Sequence, residues 1–179
     1  SASVQDGAQA TGMTVAGIEN VFSGNTTSTT VLSNGGLNLF SGAVASLTTV
    51  ASSGVVIASN GGSATGTADG GLRILSAGAS ATSTLVSGST ANEQVYAGAT
   101  ESGAVVMSGG LLQAGVFGSA GGTVTSATVK SGGLLFVSSG GVTAGAVVSN
   151  GGREDIFASG TAVSTVISSG GQELVSSGA

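Results

Sequence analysis

Eleven side chains in 179 residues carry charge: Arg73, Lys130 and Arg153 against Asp6, Glu19, Asp69, Glu93, Glu101, Glu154, Asp155 and Glu173. With no His and no Cys, acid–base or nucleophilic chemistry would have to run on carboxylates and hydroxyls. Two places bring opposite charges together. Arg153-Glu154-Asp155 sets two carboxylates side by side, but neighbours on a strand face opposite ways and cannot flank one glycosidic bond, so a solvated charge cluster at a turn is expected. Asp69 and Arg73 flank Gly70-Gly71 and could pair across that turn, a surface contact worth little energetically. The acids recur at no fixed period, as a calcium-binding solenoid would require, and no glycine pair leads into the Gly-Lys-Ser/Thr of a phosphate loop. No residue is therefore assigned to catalysis, to a cofactor or to a metal, and no cofactor is expected.

Hydroxyls remain. The steps Thr27/Thr29, Thr65/Thr67, Thr82/Thr84 and Thr123/Thr125 resemble the flat threonine arrays of ice-binding solenoids. Their offsets from the nearest apolar rung vary from 6 to 8 residues, so they read as ordinary solvent-facing β-strand threonines. A net charge of −5 with only three cations leaves little for counterion release and excludes nucleic acid as a partner. Gly contributes 34 residues, yet aliphatics recur throughout and mean hydropathy is +0.49, which separates the chain from disordered linkers. There is no run of about 18 apolar residues and no signal-like start in Ser1 to Asp6, so the chain reads as a soluble segment beginning after any export signal.

Self-similarity at a fixed period organises these residues. Two apolar residues followed by small ones recur nine times, with first members Val21, Leu39, Ile57, Ile74, Val95, Val116, Phe136, Ile156 and Leu174. Their intervals of 18, 18, 17, 21, 21, 20, 20 and 18 average about 19. In step with them run glycine turns: Gly35 and Gly36, Gly70 and Gly71, Gly109 and Gly110, Gly132 and Gly133, Gly151 and Gly152, Gly170 and Gly171, where Gly or Asn tolerates positive φ. Runs of three to five residues enriched in β-branched types between turns are strands too short to bury a face alone. Stacked coil upon coil they form a parallel ladder, with the nine first members as the expected inner column. The expected fold is an all-β, single-stranded parallel β-helix (β-solenoid), right-handed by the crossover rule, of about nine coils of about 19 residues, filling 1–179 as one domain. The neighbours Phe22, Phe40, Tyr96, Phe117 and Phe157 would form an external aromatic stripe or a second inner column round a bend.

The aliphatic-Xaa-Ser-Gly-Gly turn, the second aliphatic-Xaa-Ser-Gly step and the Ala-Xaa-Xaa-Thr tail, clearest in Val147 to Ser164 and Val166 to Ala179, resemble the AIDA-type repeat of bacterial autotransporter passengers. The resemblance runs from Met13 to Ala179; Ser87 to Gly103 lacks its glycine pair and Gly110 to Gly133 carries a longer insert. It implies a segment of an exported passenger at the bacterial cell surface, non-enzymatic, mediating self-association with identical passengers in aggregation and biofilm, or adherence to a host-cell receptor. It also implies O-glycosylation on Ser or Thr by a glycosyltransferase during export. A filament or matrix protein stacking end to end is the alternative; ice-binding and polysaccharide-processing β-helices stand behind it.

Overall fold

In a computed structural model describing residues 2–179, the short β-branched runs become strands and the glycine steps become corners. Each coil contributes a strand of four residues, one of three and one of two. The four-residue strands stack into a ten-stranded first sheet running from Ala2–Val4 to Gln172–Val175, its first strand three residues long. The three-residue strands form a nine-stranded second sheet from Gln9–Thr11 to Thr161–Val163, and the two-residue strands a nine-stranded third sheet from Thr14–Val15 to Val166–Ile167. Every strand pair is parallel and joins equivalent segments of successive coils. The corners join the ladder too: Gly132 N–H donates to the Gly151 carbonyl at 2.8 Å, and Gly151 N–H to that of Gly170 at 2.8 Å. The result is a β-solenoid of nine coils plus the strand that opens a tenth.

Strand alternation turns the second and fourth residues of each first-sheet strand inward. The fourth positions make one vertical column: Val4, Val21, Leu39, Ala58, Leu75, Val95, Ala114, Val137, Ile156 and Val175. From Val4 to Val175 is 171 residues in nine steps, or 19 per coil. All but Val175, which ends the column at the solvent, are buried. Each such side chain adds about 1.5–3 kcal/mol, spread evenly along the axis.

This column corrects the expected one. Val21, Leu39, Val95 and Ile156 stand in it, whereas Ile57, Ile74, Phe136 and Leu174 sit one residue earlier and point outward. Val116 lies in none of the three sheets but in the insert 115–122, bridged to Ser119. An apolar pair spans one inward and one outward position, and its larger member need not be the inner one; a slip of one residue inverts every side chain. The constant ruler is the turn glycine: Gly35, Gly54, Gly71, Gly110, Gly133, Gly152 and Gly171 each precede the inward fourth position by four residues. Ala91 takes that station where the glycine pair is missing. The aromatic question resolves to the outside, where Phe22 stacks on Phe40 with centroids 4.7 Å apart.

Positive φ explains only one member in four of the six glycine pairs. Gly132 has φ 73°, and Gly109, Gly151 and Gly170 are also left-handed, but their partners are required for closeness. A Cβ on Gly133 would lie 2.5 Å from the Val106 carbonyl oxygen in the coil below. Gly35, Gly36, Gly70 and Gly71 have no positive φ either; Asn34 supplies it in the first of those turns.

Two substitutions test these stations. Gly133→Ala should destabilise the rod by about 1–3 kcal/mol, seen as a lower thermal midpoint, while Gly36→Ala, whose Cβ would meet nothing nearer than 3.8 Å, should change it by less than about 0.5 kcal/mol. Leu47 is left-handed at φ 54° and 62 % exposed, so Leu47→Gly should raise stability by about 0.5–1 kcal/mol in the same melts.

Candidate functional site

The second inward position of the first sheet, two residues after the turn glycine, holds Leu37, Val56, Leu112 and Leu135 in some coils, but Arg73, Glu93 and Glu154 in others. The same station logic turns Asp69 inward from the third sheet and Glu101 from the second. Asp69, Arg73 and Glu93 therefore converge with Glu101 inside coils 4 to 6, counted from the N-terminus and opening with Val55–Ala58, Leu72–Leu75 and Asn92–Val95, all at most 1 % exposed. Arg73 Nε lies 3.1 Å from Asp69 Oδ2 and donates to Glu93 Oε1 at 3.1 Å. Arg73 Nη2 donates to the same Glu93 oxygen at 2.8 Å, bonds the Thr84 hydroxyl, and lies 3.7 Å from Glu101 Oε2. The Asp69–Arg73 pair foreseen across the glycine turn thus exists, but in the core, because both residues stand at inward positions of their strands.

One guanidinium cannot neutralise three carboxylates, and water is excluded. Burial is the first cause of the response: it pushes Asp69 up to about 7 and Glu93 up to about 8, against the attraction of Arg73, and adjoining carboxyls raise both further. Glu101 also rises, through burial first, opposed chiefly by the charge of Arg73. Burial alone would lower Arg73; Glu93, Asp69 and Glu101 outweigh it, and the guanidinium stays charged. The cluster is close to neutral only if carboxyls keep protons, which is how a buried acid avoids the cost of an unpaired charge.

Glu154 is also inside. Its Oε1 accepts from Thr143 Oγ1 at 2.7 Å and its Oε2 from Thr165 Oγ1 at 2.9 Å; burial raises its pKa, the two hydroxyls lower it, and Glu173 in the next coil raises it. Only Arg153 and Asp155 form the outer pair, Nε to Oδ1 at 2.5 Å. The expected solvated trio is therefore split by strand alternation, with its middle member in the core. The surface keeps Asp6, Lys130, Arg153 and Glu173.

The outer faces are regular. On the first sheet Val55, Ile57, Leu72, Ile74, Leu111, Leu134 and Phe136 are half-buried outward residues. Amide rungs interrupt them: Asn38 Nδ2 donates to Asn20 Oδ1 at 2.9 Å, and Gln113 Nε2 to Asn92 Oδ1 at 2.9 Å. On the second sheet Thr27, Ser46, Thr65, Thr82, Ser102 and Thr125 stack through six successive coils. The hydroxyls of Thr65 and Thr82 bond at 3.2 Å. Threonine steps that looked out of phase thus do stack, but three of the four split at a corner. Left-handed Ser28, Gly66 and Ser83 bend the chain so that Thr29, Thr67 and Thr84 enter the core, and only Thr123 and Thr125 share one outer face.

Removing one partner of the cluster tests its pairing. Arg73→Met should cost about 3–5 kcal/mol in denaturant unfolding, because it strands buried carboxyls. The fourfold change Asp69→Val, Arg73→Val, Glu93→Leu and Glu101→Val, copying what Val50, Val56, Leu112 and Val124 do at the same stations, should unfold at higher denaturant than Arg73→Met.

No family model and no curated relative matches the chain. Among solved structures it is similar to a TibA fragment hyper-glycosylated in a TibC-catalysed reaction, at 25 % identity and a TM-score of 0.54, covering 98 % of this chain and 91 % of that one. The chain is a β-solenoid that shares its fold, over nearly its whole length, with a glycosylated protein.

Proposed function

We propose that the chain is a rod segment of an exported bacterial surface adhesin and that it works by lateral association of identical rods, in aggregation and biofilm. The carrying observation is where polarity sits. Most carboxylates are inside, while the outer first-sheet face is a flat apolar and amide surface almost free of charge. Rods with so few outward charges repel weakly, and another copy has the same coil spacing, so its columns can align along the full length.

Magnitude points to multivalency. Ten strands spaced about 4.8 Å and about 13 Å wide give a face of roughly 600 Å², below the roughly 800 Å² per partner of a standard stable interface. Each face is a weak contact, and surfaces carrying many rods accumulate them. The structural similarity to a glycosylated protein supports a second feature. The hydroxyl columns of the second sheet and the corner serines are acceptors for a glycosyltransferase, and the same faces would meet a host-cell receptor in adherence. A binding role fits better than a catalytic one, because the carboxyls a hydrolase would use are sealed inside.

Sedimentation velocity over a concentration series tests the association. The wild-type chain should form concentration-dependent oligomers; Ile57→Lys with Ile74→Lys should remain monomeric, and Thr65→Lys with Thr82→Lys on the second sheet should associate as before. Equal association by both variants would contradict the assignment. Intact-mass measurement of native material should show sugar-sized increments, and a bare mass would remove the glycan feature.

A further inference from the structure

We infer that coils 4 to 6 are a proton-operated clamp: Asp69, Glu93 and Glu101, gathered around Arg73 inside the rod, hold these coils together while they carry protons and loosen them when the protons leave. The geometry is specific to this stretch. Asp69 comes from coil 4, Arg73 and Thr84 from coil 5, and Glu93 and Glu101 from coil 6, so the cluster joins three successive coils. Among the described residues, both Asp69 oxygens, Glu93 Oε2, both Glu101 oxygens and Arg73 Nη1 find no hydrogen-bond partner. Fully deprotonated, the site would place three negative charges beside one positive charge with these oxygens unsolvated.

Among the described residues, nothing packed against the cluster can compensate. The inward residues of the strands that flank it are Val50 and Val86 about Asp69, Val56 about Arg73, Leu112 about Glu93, and Ala81 and Val124 about Glu101. None of them titrates or carries charge. Thr84 is bonded to Arg73, and the buried Thr67 hydroxyl has no partner.

The sign follows from linkage. In the unfolded chain these carboxyls titrate at ordinary values of 3.8 and 4.5; folded, Asp69 and Glu93 hold their protons to about 7 and about 8. Their stabilisation is complete below pH about 4 and is lost as pH rises through about 7 to 8. Because a solenoid is held together by nearest-neighbour terms, the loss stays local to these coils. The rod would then keep its ends and loosen its middle, making stiffness a function of the surrounding pH.

Hydrogen exchange on the 179-residue chain tests this. Protection of the amides in Leu72–Leu75 and Asn92–Val95, corrected for the intrinsic rate, should fall up to about tenfold per pH unit per proton released between pH about 5 and about 8. Protection in Gly36–Leu39 should fall much less. In Glu93→Gln with Glu101→Gln, where carboxamides imitate the protonated acids, most of that dependence should vanish. Protection independent of pH in the wild-type chain, or a dependence unchanged in the carboxamide variant, would overturn the clamp. If that variant does not fold, infrared spectroscopy of Glu154→Gln, which removes the one fully buried acid outside the cluster among the described residues, decides. A protonated-carboxyl stretch present at pH about 6 and gone by pH about 9 supports the clamp, and its absence at pH about 6 refutes it.

Discussion

The parallel hydrogen-bonded ladder between coils is the constraint from which the rest follows. A two-residue strand such as Val31 with Thr30 has no stability of its own; it exists because Leu32 N–H reaches the Val15 carbonyl below at 2.9 Å and Ala51 N–H reaches the Val31 carbonyl from above at 2.8 Å. Vertical bonding forces vertical identity of position. Whatever stands at one station must be compatible with what stands there one coil below and one above, and glycine is favoured where the chain crosses close over a carbonyl of the previous coil, as Gly133 crosses that of Val106.

The same rule makes polar intrusions collective. A carboxyl placed at an inward station cannot turn away, since its strand is held on both sides, so it must find partners in neighbouring coils or keep its proton. Glu154 finds Thr143 and Thr165. Asp69, Glu93 and Glu101 find one arginine among them. Apolar stacks such as Leu37 with Val56 surround these sites, and the rod alternates stretches held by dispersion and burial with stretches held by charge. Burial of the acids also explains the outside: with most of the carboxylates withdrawn, the outer faces present aliphatic, amide and hydroxyl columns.

Much of the architecture was legible because periodicity survives substitution. Short β-branched runs, corner glycines and a spacing near 19 implied stacked strands, and a three-sheet β-solenoid of nine coils has that form. The face of each residue was harder to read. The pairs Ile57-Ala58 and Ile74-Leu75 place the inner residue second, while Val21-Phe22 and Leu39-Phe40 place it first; side-chain size does not distinguish them. Distance from the turn glycine does, because the backbone must clear the coil below before the strand begins. Counting two and four residues from Gly71 puts Arg73 and Leu75 inside; doing so from Gly152 puts Glu154 and Ile156 inside. The buried charges were thus encoded in spacing, but they contradict the expectation that charge stays in solvent. The hydroxyl columns were hidden for a different reason: left-handed corner residues such as Ser28 and Ser83 break strand alternation between two threonines that look equivalent in sequence.

Register is therefore the claim on which core, clamp and outer faces all stand, and it can be read in one oxidation experiment, since the chain has no cysteine of its own. Ile57 and Ile74 are paired outward residues of adjacent coils, separated by about 4.8 Å between neighbouring strands and within reach of a disulfide. Ile57→Cys with Ile74→Cys should cross-link on mild oxidation, while Ile57→Cys with Leu75→Cys, facing opposite sides of the sheet, should stay reduced. Ready cross-linking of the second pair and failure of the first would contradict the stacking described.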